Sequence, residues 1–293
     1  MNSSEESPRT KETLDGFAKK AQHLLPAPHI VPQLLALLNR ADINTNKIVE
    51  LISYDPSLTA NVMRICNSAY YNRGTPIVSL HHAVTHIGLN ETYRIVVAIT
   101  GSLLLGQAER KRSETEARKL WEHSVTVAMA AQILAQDMGE DQDIVFTAAL
   151  LHDIGKIAFA AEEPGLYENR ADAPDGPSRS LVEIEKEQFG FNHAELGGRL
   201  LEAWRFPTSL VAAVRFHHQL ADAMTFQRIT ACVSLGDSFA YVLGRGYGRQ
   251  EPPWQEREQA SRILNLSAED LSAYETDIQH RLKMLKDLYP SKA

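Results

Sequence analysis

The chain has 293 residues, of which 44% are hydrophobic and 23% charged, and a formal net charge of −7. That composition suits a folded protein with one large core or two smaller ones, and the acidic balance argues against non-specific binding to nucleic acid or to an anionic membrane. Cys66 and Cys232 stand far apart in no metal or redox spacing, so a disulfide scaffold is not expected and a reducing compartment is.

Residues 1–23 are polar and read as a tail or a weak first helix. They lack the apolar core of a secretory signal, and no apolar run in the chain approaches the roughly 20 residues that span a bilayer. The expected location is the cytoplasm. From Leu24 nearly every segment reads as helix. Thr45 can cap a helix running through Ile52. Asp55-Pro56 starts another, with Asp as N-cap and Pro where its missing N–H is harmless. Leu58, Val62, Ile65 and Cys66 share one face of that helix. His82 to Ile87 is a short helix closed by Gly88, and Asn90 caps the next, Glu91 to Leu105. Residues 24–106 thus form a first helical lobe.

The charged stretch Gln107–Arg118 reads as an exposed helical joint into Leu120-Trp121. A second lobe, residues 107–243, follows. Glu162 to Ser180, rich in proline and poor in apolar side chains, reads as a loop. Gly244 to Pro253 is irregular and leads into a C-terminal helical extension, residues 244–293. No segment reads as a strand. The fold class expected is all-α, in two lobes.

Five histidines and two aspartates fall on inward faces of separate helices. On a helix from about Gln142, Val145, Ala148, Ala149 and His152 form one stripe, with Asp153 about 100° further round the axis. Lys156, four residues after His152, overhangs the same surface. Asp237 lies in an apolar stripe with Phe226, Ile229, Val233 and Ala240; a carboxylate there is costly unless paired or metal-bound. Leu210, Val211 and Val214 lead into His217-His218. His193 is in the first turn of a helix bearing Gly197, Leu200 and Trp204, where Gly197-Gly198 lets another backbone come close. His123 opens a helix backed by Val127, Ala130 and Leu134. Each residue taken singly reads as a hydrogen-bonded core group, a cap or a salt-bridge partner; together they read as a metal site. His23, His29, His81, His82, His86 and His280 read as surface or structural. Imidazole and carboxylate without thiolate suit iron, manganese, zinc, nickel or cobalt. Asp153 is the natural bridge between two ions, and Lys156 is placed to hold a phosphate oxygen, which would be phosphohydrolase chemistry.

The set His123…His152-Asp153…Asp237 resembles the signature of the HD superfamily of metal-dependent phosphohydrolases. His193 and His217-His218 resemble the additions of its HD-GYP branch, which hydrolyses cyclic di-GMP at a centre of two or three metals. Asp55-Pro56-Ser57-Leu58-Thr59, Cys66-Asn67-Ser68-Ala69-Tyr70, Ala83 to Gly88, Leu120 to Ser124, Phe189-Gly190 and Trp204 before Pro207 are similar to HDOD domains. The resemblance covers roughly residues 20 to 243 and implies a bacterial signalling module of two helical lobes. It implies two divalent ions, iron or manganese ahead of zinc, nickel or cobalt. His123, His152, Asp153 and Asp237 would hold the first, and His193, His217 and His218 the second, with Asp153 shared. Lys156 matches the phosphate-contacting lysine, so Lys156 and Asp153 carry the catalytic roles if there is catalysis.

Two features depart from the HD-GYP pattern. No Gly-Tyr-Pro follows His217-His218, since Gly246-Tyr247-Gly248 is later and lacks the proline, and Lys119 stands where some members place a glutamate. The reading is a stand-alone HDOD-type regulator that binds a signalling partner protein or a phosphorylated small molecule, with no nucleic-acid or membrane partner. The alternative is a metal-dependent phosphohydrolase or phosphodiesterase acting on a nucleotide or cyclic dinucleotide. The third is a helical scaffold without metal. Core packing and turn-making is the reading for Asn67-Ser68.

Overall fold

The computed structural model describes residues 13–24, 29–40, 44–72, 74, 77–108, 114–162, 180–247 and 253–285. Among these every regular element is helical, and none of the helices is long and apolar enough to cross a membrane.

The first lobe comprises α2 (Ile30–Leu38), α3 (Thr45–Ser53), α4 (Pro56–Cys66), α5 (Leu80–Ile87) and α6 (Leu89–Ala108). Local chemistry sets its boundaries. Asp55 accepts from the Leu58 N–H and Pro56 opens α4, as its sequence demands. The α3 cap is Asn44, not Thr45, because the Asn44 side chain reaches the Asn46 N–H. Asn90 lies inside α6 and does not cap it: the Gly88 carbonyl already accepts from the Thr92 N–H and hydroxyl. The α4 face Leu58, Val62, Ile65 and Cys66 is buried as expected. Asn67 is a clamp. Its amide donates 2.8 Å to the Ile77 carbonyl and accepts 2.8 Å from the Ile77 N–H, tying the chain after α4 to the approach to α5.

The second lobe is built from α7 (Glu114–Met138), α8 (Gln142–Leu151), α9 (Ile154–Glu162), α10 (Leu181–Phe189), α11 (His193–Ala203), α12 (Thr208–Arg215), a 3-10 segment (Leu220–Phe226) and α13 (Gln227–Val242). Tyr93 on α6 bonds Thr147 on α8 at 2.6 Å, and Arg94 meets Asp143 at 3.0 Å, joining the lobes. After α13 come α14 (Trp254–Leu264) and α15 (Ala268–Leu285).

Of the two readings for the N-terminal residues, tail or weak first helix, the helix holds from Leu14, so the tail of residues 1–23 is corrected there; residues 1–12 lie outside the described residues. Leu14–Leu24 is a helix, α1, with Phe17, Ala18 and Ala21 buried. Phe17 packs on Phe159, Phe189 and Phe191, so α1 docks on α9, α10 and α11 of the second lobe. Asp15, Lys19 and Lys20, exposed on its other face, mask that apolar stripe in a composition count. The expected loop Glu162 to Ser180 lies, apart from its two ends, outside the described residues.

Candidate metal centre

Each ligand candidate is delivered by a local device. Gly236 on α13 lies where a Cβ would come within 2.9 Å of the Val127 carbonyl on α7. This close approach sets Asp237 beside His123, one turn before Val127. His123 therefore sits well inside α7 rather than at its opening, because the charged stretch before it is already helical from Glu114.

The continuous helix expected through His152, Asp153 and Lys156 is broken. α8 ends at Leu151 and α9 begins at Ile154, leaving His152-Asp153 in the turn between them. Just past the break, Gly155 permits a close approach: a Cβ there would fall 1.9 Å from the His193 carbonyl oxygen. The start of α9 and the start of α11 are pressed together, which carries His193 to Asp153. Ser180 and Glu183 form a capping box on α10, and Asn192 and Glu195 another on α11. Gly190, in a left-handed conformation (φ 88°), reverses the chain between these helices. His217 and His218 are likewise in a turn, just past the end of α12 at Arg215.

All seven predicted ligands meet. His123 Nε2 is 3.3 Å from His152 Nε2, 3.2 Å from Asp237 Oδ1 and 3.6 Å from Asp153 Oδ2. His152 Nε2 is 3.4 Å from Asp153 Oδ2 and 3.9 Å from Asp237 Oδ1. On the other side of the same carboxylate, His193 Nε2 is 3.3 Å from Asp153 Oδ1 and 3.1 Å from His218 Nε2. The His217 ring lies 5.1 Å from that of His152 and 4.0 Å from that of His218, between the two halves. Ligand atoms of His123, His152 and Asp237 lie within 4.8 Å of one another, as do those of His193, His217 and His218, and of His152, Asp153 and His217. Four donors about 2.1 Å from one cation in a tetrahedron stand about 3.4 Å apart, the scale of these spacings.

The rings are oriented from behind. His152 Nδ1 faces the Ala149 carbonyl at 2.7 Å, His217 Nδ1 the Val214 carbonyl at 2.7 Å, and His123 Nδ1 the Arg245 carbonyl at 2.9 Å. His193 Nδ1 faces Glu185 Oε2 at 2.7 Å, and His218 Nδ1 faces Glu256 Oε1 at 3.4 Å. These partners accept, so an Nδ1 proton donated to each of them leaves the opposite ring nitrogen, Nε2, facing inward as a candidate ligand.

Burial and charge agree with that picture. Asp153 is 2% exposed and Asp237 4%. Burial penalises both carboxylates, yet His152 and Lys156 hold Asp153 well below its usual range, and the nearby His123 does the same for Asp237. Burial lowers His152, and pushes His217 down to about 3 with help from His152 and His193. Lys156, 4% exposed, bonds Asp153 Oδ2 at 2.7 Å. Asp153 Oδ1, Asp237 Oδ1 and His217 Nε2 are buried without a well-formed hydrogen bond. Such orphaned acceptors, converging without thiolate, fit a bound divalent cation. His29, His81, His82, His86 and His280 are exposed and remote from this chemistry, as expected.

Glu185, Glu256, the Arg245 carbonyl and Tyr247 were not anticipated from sequence. Glu185 carried a readable signal: it lies one turn after Leu181 on the buried side of α10, as Asp237 does on α13. Its carboxyl is held below its usual range, against the effect of burial, by His193. The Arg245 carbonyl is backbone and has no residue-type signal.

The HDOD domain family model matches residues 24–220. The fold resembles an HDOD domain protein of Geobacter sulfurreducens (TM-score 0.75, 21% identity, 94% of this chain and 98% of that one). It also resembles a protein of Shewanella amazonensis SB2B provisionally assigned as a phosphohydrolase (TM-score 0.68, 22% identity, 93% and 98%). Among curated relatives, an uncharacterised protein of Treponema pallidum is 21% identical over 217 residues, and ribonuclease Y of Petrotoga mobilis is 24% identical over 152. Those alignments cover 73% and 52% of this chain, but only 41% and 23% of the relatives. With well over half of its length matched by the family model, the chain belongs to the HDOD domain family.

Proposed function

We propose that this chain is a signal-transduction module whose second lobe holds two divalent cations across Asp153, and that it acts by binding rather than by turnover. The observation that supports this most is the set of five imidazoles, each with Nδ1 against an acceptor and Nε2 turned toward two buried carboxylates. His123, His152 and Asp237 would hold one ion, His193, His217 and His218 the other, and Asp153 both. When bound, such ions supply Lewis acidity toward a phosphoryl oxygen. The thiolate-free set of imidazole and carboxylate suits iron or manganese, and equally zinc, nickel or cobalt. Deep burial of the ligands and of Lys156 favours a centre that fixes conformation over one that admits a bulky substrate. The output would pass to a partner protein or a phosphorylated small molecule, in the cytoplasm.

A second reading rests on Lys156. Its ammonium lies 2.7 Å from the shared carboxylate, where it would meet a phosphate oxygen, and this favours a phosphohydrolase or phosphodiesterase. The two readings separate on turnover. Metal-loaded protein is assayed with nucleotides, cyclic dinucleotides, a chromogenic phosphodiester and, given the similarity to ribonuclease Y, a short RNA. The binding reading predicts no hydrolysis above that of Asp153→Ala. Hydrolysis that is lost in Asp153→Ala and kept in an Asn67→Ala first-lobe variant would establish the enzyme.

A further inference from the structure

The chain from Arg245 to Glu256 lies beyond the residues matched by the family model, yet its two ends hold one ring in each half of the cup. The Arg245 carbonyl stands 2.9 Å from His123 Nδ1, and Glu256 Oε1 stands 3.4 Å from His218 Nδ1. Tyr247, also within this stretch, is buried; its carbonyl accepts from the Tyr241 hydroxyl and its ring lies 5.8 Å from Lys156 Nζ.

Glu256 sits in the first turn of α14, and its neighbour Arg257 anchors the helix. Arg257 donates to Glu275 on α15 at 2.6 Å and to Ser238, the residue after Asp237, at 3.2 Å. Its guanidinium also lies 5.1 Å from the centre of the Phe239 ring. Tyr274 on α15 bonds Asp137 on α7 at 2.8 Å. The C-terminal helix pair is thus fastened to side chains beside the ligands.

We propose that Glu256 is a positioning residue for His218, and that docking of α14 and α15 responds to metal occupancy. The proposal rests on the metal reading above. The Nε2 atoms of His193 and His218 face each other at 3.1 Å. A cation between them fixes that ring and presents a fixed Nδ1–H to Glu256. The carboxylate in turn raises the donor strength of Nε2. The linkage is reciprocal: what docking adds to metal affinity, metal adds to docking.

The test uses the full chain, with manganese(II) as the probe and zinc(II) as a second. Calorimetric titration and amide hydrogen exchange are measured on wild type, Glu256→Gln and Glu258→Gln. Glu258 is exposed and pairs with Arg262, so its variant is the control. The expected result is slower exchange over residues 254–285 on loading wild type. Glu256→Gln should lose that slowing and bind at least one equivalent about tenfold or more weaker, while Glu258→Gln matches wild type. Identical wild-type exchange with and without bound metal overturns the proposal whatever the variants do, and so does unchanged affinity in Glu256→Gln. Wild type that binds neither metal overturns the metal reading and the proposal with it.

Discussion

His123 and His152 face each other through their Nε2 atoms at 3.3 Å while the Nδ1 of each is committed to a backbone carbonyl. With each Nδ1 donating to its carbonyl, both Nε2 atoms are free to ligate, and carboxylate oxygens of Asp153 and Asp237 lie beside them. Acceptors converging in a buried space need a cation between them. Asp237→Ala removes one anionic donor from this set, and elemental analysis of the purified variant should show sharply lower metal content than wild type. Unchanged content would mean the ligand assignment is wrong.

Asp153→Ala should do more, because the carboxylate serves both halves and also balances Lys156. In chelator-treated protein the variant leaves a buried ammonium without its anion, and breaking such a pair costs roughly 3–5 kcal/mol. Urea denaturation reads the loss directly. Adding Lys156→Met should restore most of it, and a double variant as unstable as the single one would contradict the pairing.

Gly155→Ala tests the turn that carries the centre. Its Cβ would meet the His193 carbonyl at 1.9 Å, so α9 and α11 must separate. The expected cost is about 3 kcal/mol or more, with loss of metal uptake by any material that still folds. A thermal midpoint within error of wild type would contradict the close approach.

The pH dependence has a definite sign. Burial holds His217 down to about 3 and lowers His152, whereas in the unfolded chain both return to about 6.5. From about pH 6.5 down toward about 3 the unfolded state therefore binds a proton that folded His217 refuses, and His152 adds to the same trend. Stability of chelator-treated protein should fall as pH falls through that window, by up to about 1.4 kcal/mol per pH unit from His217, with His152 acting in the same direction. Urea midpoints across the window check this; midpoints that rise toward acid would contradict neutral buried rings.

Asn67→Ala addresses the first lobe alone. It deletes the paired bonds to Ile77 and a 3.0 Å bond to the Met63 carbonyl. At about 1 kcal/mol net for each, the loss is about 2–3 kcal/mol by urea denaturation, with metal content unchanged.

The helical class, the two lobes and the seven ligand candidates were legible because each rests on period and residue type. Asp237 is readable from an apolar stripe with one carboxylate in it, and Asp55-Pro56 from capping chemistry. The break at His152-Asp153 was not legible, because no proline marks it, and the packing of Gly155 against His193 beside it joins positions 38 apart in the chain. The docking of α1 was hidden for a related reason: Phe17 acquires its meaning from Phe159 and Phe191, which sequence does not bring together. Arg245 is the extreme case, since its contribution is a carbonyl that every residue has.

Anomalous X-ray scattering from a crystal of the metal-loaded chain tests the central claim most directly. The account predicts two peaks flanking Asp153, one about 2.0–2.2 Å from ligand atoms of His123, His152 and Asp237, the other at the same distance from His193, His217 and His218. A cup holding no anomalous peak, with its rings and carboxylates bonded to one another or to water, would contradict it.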